Sequence, residues 1–553
     1  MGYLIFGTII VIAVLLILRF INKLRIDKKI DQIRSSWINR KRESFDFVRI
    51  SRYADLVEQK FHRLTDQTIE DIDFHKLFAF IDRTTSKVGQ QFLYKKVIEP
   101  TNSIENQSEV LIKLFSLDKD LRERTQLELL KLSGHNAYYI SSLLGDSFPE
   151  RPKWFVLLTI DIIIMVSLTI LSFKFPVILI YLIFPFMFNM FLHYWNKKNT
   201  FQFTRSIPQL NQLINVSRRF VNNGELPIDR SVEESIIELK PFQRKTAFIN
   251  FENKDGVEAD LSLIGSVLTE FLKAFFLIEV LMIFQVVKEL RDKRLSILML
   301  FNYVGGIDSA LSIAALRTSN MKTCRPVFTA VKKELVLKNA YHPLINNCVK
   351  NSLTINNKSI LITGSNMSGK STFLRTLTIN SILAQTINTC FADEYISPVL
   401  RQFSSIRIDD NLFEGKSYYF QEVNTIGSLV NEAETEFQNL FILDEVFKGT
   451  NTIERIAAGK AILTYLNRNN NIVVVSTHDI ELADMLKDEY DLYHFTEIVE
   501  NNKLHFDHRI KVGQVRTRNA IKILELSNYP EDILIEARQI SNTLRTAAET
   551  IKE

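Results

Sequence analysis

The stretch Ser359-Ile-Leu-Ile-Thr363 runs straight into Gly364-Ser365-Asn366-Met367-Ser368-Gly369-Lys370-Ser371-Thr372, and this junction decides the fold. A short apolar strand, a glycine-bounded loop and the start of a helix form the context in which G-x-x-x-x-G-K-[ST] cradles phosphates. The glycines let backbone N–H groups approach an anion, and the helix N-terminus adds its dipole. Lys370 is placed to neutralise the β- and γ-phosphates of ATP, and Ser371 to ligate Mg2+. With only 17 Gly in 553 residues, a chance match is improbable.

Two more pieces follow downstream. Asn439-Leu-Phe-Ile-Leu-Asp444-Glu445 is an apolar strand ending in two carboxylates. Asp444 is suited to the Mg2+ shell and Glu445 to polarising an attacking water. Alone the pattern is any strand end; after a phosphate loop it becomes specific. Ser476-Thr477-His478-Asp479 closes the strand that begins at Ile472, and an imidazole at a strand's C-terminal end suits it to sense a γ-phosphate. The expected catalytic residues are Lys370, Glu445 and His478, with ATP and Mg2+ as cofactors.

Working outward, short apolar strands alternate with helices from about 325 to 553, the texture of an α/β domain. Residues 51–150 and 200–324 instead carry helical periodicity with few breakers and read as the two parts of an all-α core or lever. Three cysteines, Cys324, Cys348 and Cys390, make neither a disulfide framework nor a CxxC zinc site.

The apolar run at 3–18 extends to a membrane anchor over 1–21, with Arg19 snorkelling at its end. A basic segment, 22–50, follows. Nine Lys and Arg against two Asp lie between Arg19 and Arg42, so the chain's net charge of +5 is concentrated there and the remainder is slightly acidic. That distribution suits a membrane surface better than a chain-wide grip on nucleic acid, and it places the bulk of the chain on the cytoplasmic side of the inner membrane. A second apolar region, 154–195, broken near Lys174-Phe175-Pro176, reads as two spanning helices in a hairpin, for three predicted transmembrane helices in all. Asp161 sits inside the first of them, level with Asn189 when the hairpin folds, and a structural hydrogen-bonded pair is expected. The stretch 261–293 is interrupted by Glu270, Lys273, Glu279 and Lys288 and reads as a largely buried helix of the lever.

The phosphate loop, Asp410-Asn-Leu-Phe-Glu-Gly415-Lys-Ser417-Tyr-Tyr-Phe-Gln-Glu422, Asp444-Glu445, Gly449-Thr450-Asn451 and Ser476–Asp479 together resemble the MutS family of DNA mismatch repair ATPases. Tyr341-His342-Pro343-Leu344 is similar to the entry of that family's ATPase domain. Phe80-Ile-Asp82-Arg83-Thr84 and Ile307-Asp308-Ser-Ala310-Leu311 are looser matches to the start and close of its helical core. The resemblance implies an ABC-type ATPase working as a homodimer. It also implies that Ser417 of one subunit, followed by Glu422, completes the other's phosphate site, with Asn451 in the loop that communicates across the interface. Tyr418 and Tyr419 depart from the Thr and Phe usual after the signature serine, and the aromatic that stacks on adenine is replaced near Cys348. The mismatch-reading wedge and the DNA clamp of the family have no counterpart; the 154–195 hairpin stands where the clamp would interrupt the core. An ABC-like transporter is the least favoured function, since three spans per chain offer no evident polar pathway beyond Asp161, and two others stand ahead of it. One is a membrane-tethered ATPase that associates with DNA. The other is a membrane ATPase switch acting on a protein or lipid partner.

Overall fold

In this computed structural model, residues 16–550 are described, apart from several positions between 18 and 43, 58–60, 103–105, 146–154, 200, 247–270, most of 272–288, 408–417, 501–502, 515–519 and 527–528. The expected anchor at 1–21 and the helix expected at 261–293 therefore lie largely outside the described residues. The chain forms two compact units. The first comprises Met1–Glu58, Ile81–Lys96 and Glu105–Ser319; the second comprises Gln59–Phe80, Val97–Ile104 and Asn320–Glu553.

The first unit is helical among the described residues. Helices α1 (Phe155–Ser172) and α2 (Ile183–Asn199) form the hairpin, with the chain reversing through Lys174 and Phe175. They are apolar all round, and Val156, Ile163, Ile170, Phe184 and Phe191 face outward. Asp161 lies beside Asn189 within the hairpin, and Asn189 Nδ2 donates to Phe275 O at 3.0 Å. Helix α3 (Phe201–Asn223) buries Leu210, Leu213, Ile214 and Ser217, the i, i+3, i+4, i+7 stripe of an amphipathic helix. Helix α4 (Arg294–Arg317) is also long and apolar enough to cross a membrane, but 72% of it is buried inside the protein against 18% and 22% for the two hairpin windows. It is a core helix. Its fully buried Asp308 accepts from Thr85 N (2.8 Å), Ser86 N (2.7 Å) and Ser86 Oγ (2.6 Å), which satisfies free amides at the start of helix Lys87–Ile98.

The second unit is α/β. Its main sheet has the order β12-β9-β4-β8-β7-β6. These strands are β4 (Ser359–Thr363), β6 (Arg401–Ser405), β7 (Asn439–Asp444), β8 (Ile472–Thr477), β9 (Tyr490–His494) and β12 (Lys511–Val512). All neighbours in it are parallel except β12 with β9. A second sheet, in the order β1-β5-β2-β3, joins β1 (Val327–Phe328), β2 (Glu334–Ala340), β3 (Asn351–Asn356) and β5 (Glu394–Ser397). A hairpin pairs β10 (Glu497–Glu500) with β11 (Lys503–Phe506). The central strands β4, β7 and β8 are buried at every position, so they read as unbroken apolar runs and not as alternating ones. Helix α5 (Lys370–Ile387) packs one face of the sheet, contributing Phe373, Leu374, Leu377 and Ala384 to the core there. On the other face Leu463 and Leu466 join Phe441, Leu443 and Val475.

The sequence reading places 59–80 with the helical core; in the structure these residues pack into the second unit. The reason is Asp71, fully buried at the end of the short helix Asp66–Asp71. Its Oδ2 accepts from Ser404 Oγ (2.6 Å) and Ile406 N (2.9 Å), and its Oδ1 from Arg407 N (2.7 Å) and Gln67 Nε2 (3.0 Å). Nearby, Thr68 Oγ1 accepts from Ser404 N at 3.1 Å. The short helix thus supplies the acceptors that the exit of the edge strand β6 lacks.

Candidate active site

Parallel strands present their C-terminal ends on one side of a sheet, and ligands of such folds bind there. The ends of β4, β7 and β8 carry Gly364, Asp444 and Thr477, three adjacent positions set by the register Thr363↔Thr477 and Asp444↔Ser476. The candidate residues, scattered along the chain, are thereby drawn to a common edge.

The phosphate loop turns through Gly364 (φ +141°) and Gly369 (φ +110°), with a 3-10 turn at Asn366–Ser368 between them. A side chain at Gly364 would come within 2.6 Å of Phe495 O, so the position needs glycine for space as well as for φ. Ser368 Oγ donates to Ser365 O at 2.6 Å, and Ser365 Oγ to Glu497 Oε2 at 3.0 Å, pinning the loop to the start of β10. Met367 projects from it, 71% exposed. Lys370 opens α5 almost wholly buried, its Nζ donating to Gly364 O at 2.5 Å. Burial lowers its pKa, against the raising influence of Glu445 and Asp444.

Ser371 Oγ donates to Asp444 Oδ2, and Ser476 Oγ to Asp444 Oδ1. A hydroxyl and a carboxylate are hard oxygen donors of the kind Mg2+ takes. No group of three or more His, Cys, Asp or Glu suited to a metal occurs among the described residues.

Glu445 adopts φ +59° and Phe447 φ +61°, a strained conformation for non-glycine residues. Hydrogen bonds hold the turn: Glu445 N donates to Ser476 O at 2.9 Å and Phe447 N to Glu422 Oε1 at 2.6 Å. The Glu445 carboxylate meets His478 Nδ1 at 3.3 Å and Lys448 Nζ at 3.3 Å. Burial alone would raise its pKa, but the hydrogen bond from His478 and the charges of Lys448, His478 and Lys370 bring it down to about 2. The same hydrogen bond raises the His478 pKa, against burial. The two side chains face each other at the ends of β7 and β8.

Ser417 lies outside the described residues. Glu422, on helix α6 (Tyr418–Glu432), is buried and bonds within its own chain: besides Phe447 N, its Oε1 accepts from Lys448 N at 3.2 Å. Burial raises its pKa. Gly449 follows where that loop passes α6, and a Cβ there would lie 2.9 Å from Tyr419 Cβ. Asn451 caps helix α7 (Thr452–Leu466), its side chain accepting from Glu454 N at 3.0 Å. The two residues expected at a subunit interface thus also brace the loop after Glu445 from within.

A cavity of about 290 Å³ opens beside the phosphate loop, lined by Ile345, Cys348, Val349, Met367, Thr372 and His508 among others. His508 escapes a sequence reading because no motif surrounds it. Its Nδ1 lies 3.1 Å from Ser368 O, and its ring stacks on Phe506 with centroids 6.0 Å apart. Apolar Ile345, Val349, Met367 and Phe373 together with polar Asn347, Asn351 and the His508 imidazole suit a planar base next to the phosphates.

Residues 360–545 match the family described as MutS domain V. The chain is 33% identical to the DNA mismatch repair protein MutS of Pseudothermotoga lettingae, over 46% of this chain and 32% of that one. It is 32% identical to the protein of the same name from Listeria monocytogenes, over 44% and 29%, and 32% to that of Lactobacillus delbrueckii subsp. bulgaricus, over 40% and 27%. The chain therefore spans about a third or less of the length of the curated relatives it matches.

Proposed function

With residues 360–545 a MutS domain V, an ABC-type P-loop ATPase, we propose that the whole chain is a membrane-anchored ATPase that binds ATP–Mg2+ and hydrolyses it as a homodimer. The observation that carries this reading is the convergence of Lys370, Ser371, Asp444, Glu445 and His478 at the C-terminal edge of β4, β7 and β8. Ser371 and Asp444 are the residues that would hold Mg2+, which when bound would offset the negative charge of the nucleotide's phosphates. Lys370 adds a fixed positive charge at the loop. Glu445 is placed to polarise the attacking water. His478, paired with Glu445, reports on the γ-phosphate by exchanging that partner for it.

Dimerisation is supported by exposed apolar side chains around the site: Met367 on the phosphate loop and Ile453 on α7 (82% exposed). The signature segment with Ser417 then completes the partner's phosphate site. Membrane anchoring is supported by the outward apolar surface of the α1–α2 hairpin and by the run at 3–18. A second reading, association with DNA, rests on relatives that bear the name DNA mismatch repair protein. The test is Glu445→Gln: the detergent-purified variant retains ATP, dimerises in its presence and does not hydrolyse it. A variant that hydrolyses at the native rate, or stays monomeric with ATP bound, refutes the proposal. Salt-dependent stimulation of the native enzyme by duplex DNA decides for the second reading, and stimulation by anionic vesicles alone decides against it.

A further inference from the structure

The three cysteines fall into two environments. Cys348 lines the nucleotide cavity. Cys324 and Cys390 face one another across an isolated antiparallel bridge, with Cys324 N donating to Cys390 O and Cys390 N to Cys324 O, both at 2.9 Å. Residues that exchange both hydrogen bonds in an antiparallel pair have Cα atoms about 5.5 Å apart, at the centre of the range a disulfide spans. Their side chains lie on the same side of the ladder, since directly opposed residues do. Cys390 is fully buried in the core and Cys324 half-buried against the same cluster, while both are thiols here.

We propose that Cys324 and Cys390 are a redox-closable dithiol: an oxidant of the hydroperoxide class converts them to a disulfide without rearranging the fold. Cys324 is the one solvent reaches, and the neighbouring Cys390 thiol lowers its pKa, which favours the reactive thiolate. Its sulfur attacks a peroxide oxygen, the O–O bond breaks, and with hydrogen peroxide the products are a sulfenic acid and water. The Cys390 thiol then attacks the Cys324 sulfur; the S–S bond forms, the S–OH bond breaks, and the hydroxyl leaves as water with the thiol proton. In sum, two thiols and one hydrogen peroxide give one disulfide and two waters. In a reducing compartment the pair rests open and closes under oxidant.

The position gives closure a consequence. Cys324 lies on the segment that enters the second unit after helix α4, and Cys390 just beyond the end of α5, the helix whose first residue is Lys370. A disulfide therefore staples the entry of the unit to the far end of its phosphate-loop helix. The loop it closes is long, and long loops restrict the unfolded chain most.

The experiment is peptide mapping of the full-length, detergent-solubilised protein after hydrogen peroxide, with remaining thiols alkylated, native and urea-unfolded in parallel. In the unfolded chain the sequence-nearest pair, Cys324 with Cys348, dominates. In the native protein the Cys324–Cys390 linkage dominates, Cys348 stays alkylated, and dithiothreitol reverses the change. The Cys348→Ser protein still closes fully, whereas Cys324→Ser leaves Cys390 unlinked. Closure raises the unfolding temperature of the ATPase unit by roughly 5 °C. A native protein that pairs Cys324 with Cys348, or in which Cys324 and Cys390 are both oxidised without being joined, overturns the proposal.

Discussion

Replacing Asp71 by Ala removes the acceptor that four donors share, and the structure allows its cost to be worked out. Ser404 Oγ, Ile406 N and Arg407 N lose their partner at the exit of β6, while Gln67 Nε2 keeps its other acceptor, Arg407 O. Each stranded buried donor costs about 1–3 kcal/mol. Against this stands the carboxylate's own desolvation, which is large enough to raise the Asp71 pKa in spite of those bonds. The net cost is about 3 kcal/mol, which at 1.4 kcal/mol per decade is roughly a hundredfold in a local opening equilibrium. Amide hydrogen exchange in the full-length protein reads this directly. The peptide containing Ser404–Arg407 exchanges roughly a hundredfold faster in Asp71→Ala, while peptides of helix α4 stay unchanged. Asp71→Asn keeps one acceptor oxygen and falls between. If exchange at Ile406 and Arg407 in the Ala protein stays within threefold of native, residues 59–80 are not what anchors the exit of β6.

Lys370→Ala removes the buried ammonium of the phosphate loop, and fluorescent ATP-analogue titration is expected to show affinity reduced by at least tenfold. Ser417→Ala lowers turnover more than nucleotide affinity; equal rates for variant and native enzyme would remove its role in the partner's site. The Glu445–His478 pair has a pH signature. Glu445 is depressed, so its contribution to stability is present above the unfolded carboxylate pKa and is lost as pH falls through about 2. His478 is raised, so its contribution is full below the unfolded imidazole pKa and is lost as pH rises through the folded value. In Glu445→Gln the His478 imidazole pKa, followed by proton NMR, falls; an unchanged value would mean that the pair does not form in solution. Asp161→Ala removes the carboxyl group beside Asn189 within the hairpin and destabilises it, and a second change at Asn189 recovers part of the loss; strictly additive effects would show that the two residues are not coupled.

The catalytic edge was legible in the sequence because each of its pieces ends a strand, and strand ends are marked by abrupt changes of residue type: apolar to glycine at 364, to carboxylate at 444, to polar at 476. Parallel register then does the gathering. What could not be read are features that depend on partners remote in the chain. Asp71 looks like one more acid in a polar helix until Ser404–Arg407 are folded against it. Glu422 carries no local sign that its carboxylate bridges to the loop after Glu445. His508 stands in a segment without periodicity and reaches the phosphate loop only through the return of the chain after β11. Apolar length alone does not separate α4 from the hairpin helices either. Only burial does, 72% against 18% and 22%.

The account stands or falls on magnesium-dependent ATP hydrolysis by the purified full-length chain, measured side by side with its Lys370→Ala and Glu445→Gln variants. It predicts turnover by the native protein, no nucleotide retained by the first variant, and nucleotide retained without turnover by the second. Hydrolysis at equal rates in all three would contradict it.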